Sequence, residues 1–201
     1  MKNVIFVILS IGLIFSLNVK SVFSAPVQWN TGVNHNDHYY ERVQLSYTIS
    51  WTTAQQLAAE RYTLFPDFTE SYLAVITSTE ENSFVQALFL NPEPQYRAWL
   101  GGFQDDSQNP ASGWGWVTGE LWDYTNWRPG EPNDALGARD ERYLETFPSG
   151  NWNDITLDGE NLVYAFIVEY VPKPIPEPIT LVLFSSSLLV LKLRKLFNFI
   201  S

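Results

Sequence analysis

The sequence predicts an α+β domain flanked by an apolar segment at each end of the 201-residue chain. Two helix patterns lie early in the middle region, and short apolar strand patterns follow them. A long stretch over residues 123–153 is dominated by turn formers and aromatic residues, and such a stretch in a compact domain is usually functional. The middle region is long enough for one core, and the 45% hydrophobic content argues against disorder.

The two helices are predicted from their capping residues. Ser50 can cap a helix that begins at residue 51. Ser78 and Glu81 form a capping box at the start of a second helix, with Ser78 as the N-cap and Glu81 reaching back. Pro92 ends this second helix. The predicted buried face of the first helix consists of Trp51, Ala54, Leu57 and Ala58.

Short apolar runs predict the strands. They lie at 28–44 (an opening strand region), 72–76, 99–103, 114–117 and 162–170. Four tryptophans in or near these runs are expected in the core, namely Trp99, Trp116, Trp127 and Trp152. Trp114 and Trp122 lie nearer to loops and are candidates for stacking on a sugar. His35 and His38 are expected to be exposed loop residues rather than metal ligands.

The middle region is strongly acidic and contains no cysteine. Residues 26–171 hold six arginines, no lysine and 21 acidic residues, a formal net charge of −15. Such a surface repels nucleic acid, and it suits either a cation such as calcium or solubility alone. The lack of cysteine excludes disulfides, zinc–thiolate sites and cysteine nucleophiles.

The N-terminus predicts export. Lys2 provides a positive start, an apolar run follows from Val4 to Leu17, and small or branched residues precede Ala25. This order is typical of a signal peptide. We therefore expect signal peptidase to remove residues 1–24, and the mature domain to occupy residues 25–171.

The C-terminus predicts a linker and a membrane segment. Alternating prolines make residues 172–178 an extended linker. Residues 179–201 contain an apolar stretch followed by a basic cluster, which predicts a transmembrane helix in the inner membrane with a cytoplasmic basic tail.

The order of Pro176-Glu177-Pro178, apolar helix and basic tail resembles the PEP-CTERM sorting signal of Gram-negative bacteria. The resemblance implies processing by an exosortase in a bacterium that makes exopolysaccharide, with the product in the periplasm, the outer envelope or the extracellular space. An ordinary C-terminal membrane anchor is the alternative.

The irregular region carries oxygen ligands suited to one calcium ion. Calcium takes six to eight oxygens from carboxylates, amide carbonyls and water. The amides can also donate N–H to sugar hydroxyls, while each glutamate accepts a hydroxyl proton. A cis bond before Pro132 would best direct its two neighbours the same way. The predicted calcium and sugar ligands are Glu131, Asn133, Glu141, Asn153 and Asp154.

Five motifs together resemble those of C-type lectin domains, over roughly residues 37–170. They are Trp99-Leu100-Gly101-Gly102, Trp116-Val117-Thr118-Gly119, Tyr124-Thr125-Asn126-Trp127, Gly130-Glu131-Pro132-Asn133 and Trp152-Asn153-Asp154. The resemblance implies a C-type lectin-like fold of two helices, two small antiparallel sheets and a long calcium-binding loop. It places the principal calcium site on the same five residues, and its Glu-Pro-Asn triplet implies selectivity for mannose, fucose or glucose.

The sequence departs from the family pattern at three points. The paired cysteines are missing. The stretch between Asn133 and Glu141 is slightly long, so Asp140 competes with Glu141 for the ligand role; we choose Glu141 because Tyr143-Leu144-Glu145 then aligns as the next strand. Arg142 stands where an acidic residue would support a second calcium ion, which argues against that ion.

Three functions follow from these observations. The first is a calcium-dependent carbohydrate-binding module at the envelope or exopolysaccharide. The second is a protein-interaction or extracellular matrix module on the same fold, with or without structural calcium. The third is a hydrolase using Glu131 and Glu141, which we reject because two carboxylates facing one cation have lowered pKa values and no acid remains. We therefore expect no enzymatic activity.

Overall fold

The computed structural model describes residues 25–90, 97–105, 109–135 and 140–175, which form the predicted α+β domain. The predicted signal peptide (residues 1–24) and the sorting segment (residues 179–201) lie outside the described residues. Within the described part of the chain, none of the helices has the length and apolar character needed to span a membrane.

The two helices begin where their caps predict. Helix α1 spans Trp51–Glu60, and the Ser50 side chain accepts the N–H of Thr53. Helix α2 spans Thr79–Ala87, and the Ser78 side chain accepts the N–H of Glu81. The prediction for Leu57 is wrong, because this side chain is 39% exposed and lies about 100° around the helix from the buried face. The buried residues of α1 are Trp51, Ala54 and Ala58.

Eight strands join into one sheet. They are β1 (Val27–Gln28), β2 (Tyr39–Gln44), β3 (Phe68–Leu73), β4 (Ala98–Gln104), β5 (Trp114–Trp116), β6 (Tyr143–Thr146), β7 (Trp152–Ile155) and β8 (Ala165–Pro172). The order along the sheet is β1-β2-β8-β4-β6-β7, with β3 paired to β8 and β5 paired to β4.

The sheet is mixed, whereas the sequence predicts two small antiparallel sheets. The difference arises at β8, which pairs antiparallel with β2 and β3 but parallel with β4, through Ala98↔Ala165 and Trp99↔Phe166. This short parallel contact joins the two groups of antiparallel strands. The strand predicted at 72–76 begins four residues earlier, at Phe68, and the closing strand is displaced to Ala165–Pro172.

Tryptophans fill much of the core in place of disulfides. As predicted, Trp99, Trp116 and Trp152 are buried, and Trp127 is partly buried against them. The stacking role considered for Trp114 is wrong, because its ring is buried and its indole N–H donates to the carbonyl of Pro110. Its ring stacks on that of Trp122 at a centroid distance of 5.7 Å. These aromatic contacts hold the irregular region against the sheet.

Candidate functional site

A tight turn presents the first two predicted ligands. The peptide bond between Glu131 and Pro132 is cis, as the sequence analysis anticipated. Gly130 precedes this bond with a φ of 96°, a conformation that glycine adopts without a steric penalty. Glu131 is half-buried, whereas Asn133 is exposed at the tip of the turn.

The Asp154 carboxylate fastens this turn to strand β7. Asp154 is 1% exposed and accepts the backbone N–H of Asn133 at 3.1 and 3.0 Å through its two oxygens. It also accepts the N–H of Asp134 at 2.8 Å. Glu141 is 5% exposed and accepts the next backbone N–H, that of Ala135. Two buried carboxylates therefore accept three consecutive N–H groups of the turn.

Negative charge accumulates where these side chains meet. The carboxyl group of Glu131 contacts both Asp154 and the side chain of Asn133, and its Oε2 atom is buried without a hydrogen-bond partner. Burial, and then the charge of Asp154, raises the pKa of Glu131. Burial is also the main cause that raises the pKa of Glu141 to about 7, with Asp154 adding to it. Because the charge of Asp154 raises the pKa of both glutamates, a cation at this point would relieve the repulsion.

The donor set fits calcium, although the side chains do not form a complete shell. Carboxylate and amide oxygens are the ligands that calcium prefers. In the described part of the chain, no three His, Cys, Asp or Glu side chains are grouped as a metal site. The reason is visible in the contacts: Glu141 and Asp154 face backbone N–H groups of residues 133–135. Coordination would require these carboxylates to share their oxygens with the ion.

Asn153 adjoins this group, and the N–H groups of its amide are directed to other acceptors. Its Nδ2 donates to Glu145 Oε1 at 3.1 Å and to the carbonyl oxygen of Asp154 at 2.7 Å. The structure therefore brings four of the five predicted ligands into mutual contact through Asp154 and the turn. The fifth, Asn153, is held beside them by Glu145.

Asp140 and Glu141, the two candidates for one ligand position, differ in burial. Asp140 is exposed and lines a separate groove of about 460 Å³ with Leu157, Asp158 and other residues. Glu141 is buried and contacts the turn. The geometry thus favours Glu141 over Asp140 as the residue of the site.

The sequence did not predict Arg97 and Glu145, which contact the residues beside the site. Glu145 is fully buried, and Arg97 Nη1 donates to its Oε1 at 3.0 Å. The guanidinium groups of Arg97 and Arg128 each lie 4.8 Å from the centre of the Phe147 ring. Arg97 and Glu145 are 48 positions apart, so no local pattern could have paired them.

A second buried acidic cluster lies outside the candidate site. Tyr40 O–H lies 2.5 Å from Glu81 Oε1 and 3.0 Å from Glu169 Oε1. The expectation that His38 is exposed is wrong: its side chain is 25% exposed, and Nδ1 lies 2.7 Å from Glu169 Oε1. Glu81 also reaches back one residue further than predicted, accepting the N–H of Thr77 at 2.7 Å. The cluster ties the N-terminal segment to α2 and β8.

Comparison with known proteins identifies the relatives of this domain. The family model described as "Lectin C-type domain" matches residues 46–163, more than half of the chain. C-type lectin domain family 10 member A of Homo sapiens is 30% identical over 135 residues, covering 64% of this chain and 35% of that protein. Perlucin of Haliotis laevigata is 34% identical over 90 residues, covering 43% and 55%. The chain thus spans about a third of the human protein and about half of perlucin.

Solved structures share the fold. The cow C-type carbohydrate-recognition domain of CD23, solved in the presence of a GlcNAc2Man3 oligosaccharide, aligns with a TM-score of 0.54 at 22% identity, covering 76% of this chain and 99% of that chain. The C-type lectin CEL-I of Cucumaria echinata aligns with a TM-score of 0.56 at 19% identity, covering 74% and 99%.

Proposed function

This chain belongs to the C-type lectin domain family, and on that premise we propose that it binds carbohydrate through one calcium ion. Domains of this family are not enzymes, and this chain is a binding domain. The proposed ligands of the ion and of the sugar are Glu131, Asn133, Glu141, Asn153 and Asp154.

One observation carries the proposal. The carboxyl groups of Glu131 and Asp154 are in contact, and the Oε2 atom of Glu131 is buried without a hydrogen-bond partner. A third carboxyl group, that of Glu141, lies beside them, and its pKa is raised to about 7. A bound calcium ion would supply the missing positive charge and attract the lone pairs of sugar hydroxyls. The exposed Asn133 amide lies at the tip of the turn, where it can donate an N–H to a hydroxyl.

We propose a glycan or exopolysaccharide with mannose-, fucose- or glucose-type hydroxyls as the partner. The Glu131-Pro132-Asn133 triplet supports this preference through its resemblance to the mannose-type form of the family. Binding of the purified chain to a glycan array tests it. We expect mannose, fucose or glucose ligands to be retained in calcium and released by a chelator, whereas retention of galactose ligands alone would contradict the preference.

Thermal unfolding during a calcium titration tests the ion site. Extracellular calcium modules bind with Kd values of about 10⁻⁴–10⁻³ M. At about ten times Kd, linkage stabilises the folded chain by roughly 1.4 kcal/mol, a rise of about 3–6 °C in Tm. We expect a saturable rise with calcium, none with magnesium, and none in Asp154→Asn. A flat response of the wild-type chain would contradict the calcium site.

A calcium-free interaction module is the second candidate. It is favoured by the backbone N–H groups of residues 133–135, which already satisfy the Asp154 and Glu141 carboxylates without an ion. In that case the partner is a protein or matrix component. Binding that survives a chelator and is not competed by free mannose would favour this candidate.

We further propose that the chain is exported and sorted by its end segments. Signal peptidase would remove residues 1–24, and an exosortase of a Gram-negative host would act near Pro176-Glu177-Pro178, after residues 179–201 have held the chain in the inner membrane. Mass spectrometry of the mature protein tests this. We expect an N-terminus at Ala25 and a C-terminus near Glu177, whereas a retained basic tail would indicate a permanent anchor.

A further inference from the structure

Glu145 is a fully buried carboxylate beside the candidate site but outside the proposed ligand set. It lies in β6 directly opposite Asn153 in β7, so both side chains lie on the same face of this antiparallel pair. Its Oε1 accepts one hydrogen bond from Asn153 and one from Arg97, while its Oε2 is buried without a partner. Burial of a carboxylate is costly unless hydrogen bonds compensate for it, and Asn153 and Arg97 supply these bonds.

The contacts of Asn153 fix which end of its amide faces which way. Both neighbours of Nδ2, the Glu145 carboxylate at 3.1 Å and the Asp154 carbonyl at 2.7 Å, can only accept hydrogen bonds. The amide nitrogen must therefore face them, with one N–H directed to each. The carbonyl oxygen Oδ1 is the end of the amide left for a cation, and one of the two N–H groups would have to leave its acceptor before Asn153 could donate to a sugar hydroxyl.

Arg97 is the second hydrogen-bond partner of Glu145. Its Nη1 lies 3.0 Å from the same Oε1 atom that Asn153 contacts, and its side chain is 31% exposed. The Arg97 guanidinium is itself packed on the Phe147 ring at 4.8 Å. Arg97, Glu145 and Asn153 thus form a continuous polar chain that ends next to Asp154.

We propose that Glu145, held by Arg97, is a positioning residue that orients the Asn153 amide so that its Oδ1 faces the calcium ion. The inference rests on the proposed function, because it assigns Asn153 as a ligand. Glu145 itself does not contact the ion. Partners of this kind typically change metal affinity by about 10–100-fold when they are removed.

The test compares Glu145→Met with Glu41→Met in the full chain. Glu41 is the matched control: it is a buried glutamate that pairs with Arg61 at 2.6 Å, but it lies in β2 near the other edge of the sheet. The first measurement is the side-chain 15N–1H signals of Asn153 in calcium-free, 15N-asparagine-labelled chain. We expect Glu145→Met to move this pair to the position of a solvent-exposed asparagine and to remove its protection from exchange, and Glu41→Met to leave it unchanged.

Calcium affinity provides the second measurement. We expect Kd to rise about tenfold in Glu145→Met and to stay within about threefold in Glu145→Gln, whose carbonyl can still accept from Asn153. Glu41→Met should lower Tm without changing Kd. If Glu145→Met does not fold, Arg97→Met replaces it, because Arg97 is partly exposed; we expect the same displaced Asn153 signals and a rise in Kd of about threefold.

The outcomes separate the two proposals. An unchanged Asn153 signal pair in the folded variants overturns the positioning role, as does an equal change of Kd in Glu41→Met. Absence of calcium binding by the wild-type chain defeats the proposed function instead. In that event the calcium-free signals of Asn153 still decide whether Glu145 orients its amide.

Discussion

At the scale of single residues, Asp154 joins strand β7 to the turn that contains Glu131 and Asn133. It lies in a strand, is almost fully buried, and holds the turn at Asn133 and Asp134 by their backbone N–H groups. The sequence predicts Asp154 as a ligand but not this second role, because the bonds join residues about 20 positions apart. The same carboxylate thus stabilises the turn and contributes to the charge that an ion would offset.

The difference in burial between Glu141 and Asp140 predicts different effects of neutralising them. We expect Glu141→Gln to abolish the proposed calcium-dependent rise of about 3–6 °C in Tm, because it neutralises a buried carboxylate that is one of the proposed ligands. Asp140→Asn is the control and should keep most of that rise, because Asp140 is exposed. Differential scanning fluorimetry with and without calcium checks both variants. If only Asp140→Asn lost the calcium-dependent rise in Tm, Asp140 rather than Glu141 would be the ligand.

Glu81 predicts a dependence of stability on pH. Burial, and then the charge of Glu169, raises the pKa of Glu81 from 4.5 to about 7. Between these values the folded chain keeps a proton that the unfolded chain has released, so the contribution of Glu81 to the free energy of unfolding is present at low pH and is lost as pH rises through about 7. Tyr40 and His38 belong to the same cluster.

We expect Glu81→Gln to reduce the loss of stability between pH 5 and pH 8 by roughly 1–3 kcal/mol, because glutamine stays neutral throughout. Urea unfolding of the calcium-free chain at intermediate pH values measures this loss. Glu80→Gln, at an exposed position of the same helix, serves as the control. Parallel pH curves for wild type and Glu81→Gln would contradict the expectation.

At the scale of elements, local chemistry predicts helices better than strand ends. Ser50 and Ser78 mark the helix starts because a hydroxyl cap is a local contact, confined within three residues. The extent of β3 depends instead on its partner β8, whose register no local pattern reveals. The parallel contact between β4 and β8 escapes prediction for the same reason, since it joins residues 67 positions apart at Ala98 and Ala165.

Strand β4 passes so close to its neighbours that Gly101 has no room for a side chain. A Cβ atom on Gly101 would lie 2.5 Å from the carbonyl oxygen of Leu73. We expect Gly101→Ala to lower the free energy of unfolding by roughly 3 kcal/mol, because the backbone must move to accept the methyl group. Urea unfolding measures this value.

The control is Gly115→Ala in the adjacent strand β5, where a Cβ atom meets nothing within 4 Å. It should change the free energy of unfolding by no more than about 0.5 kcal/mol. Equal changes in the free energy of unfolding for the two variants would mean that the backbone around Gly101 can move to accommodate a methyl group at little cost.

At the scale of the whole molecule, the sheet order separates the candidate site from the first strand of the described domain. Strand β7, which carries Asn153 and Asp154, lies at one edge beside β6, whereas β1 and β2 lie at the other, with β8 beside β2. The sequence predicts the ligand residues because they fall in compact motifs. It does not predict the buried pair of Arg97 and Glu145, which forms only when β4 and β6 pair.

The first and last strands of the described domain lie close together, which has a practical consequence for attaching the domain to a support. Tyr39 in β2 pairs with Tyr170 in β8, so a tag placed before β1 or after Pro172 would emerge near these two paired strands. A biosensor chip loaded through either tag should therefore present the Glu131 turn outward. We expect both orientations to give the same affinity and the same ligand capacity for a given glycan. A loss of ligand capacity with one of the two tags would show that the tag at that end covers the Glu131 turn.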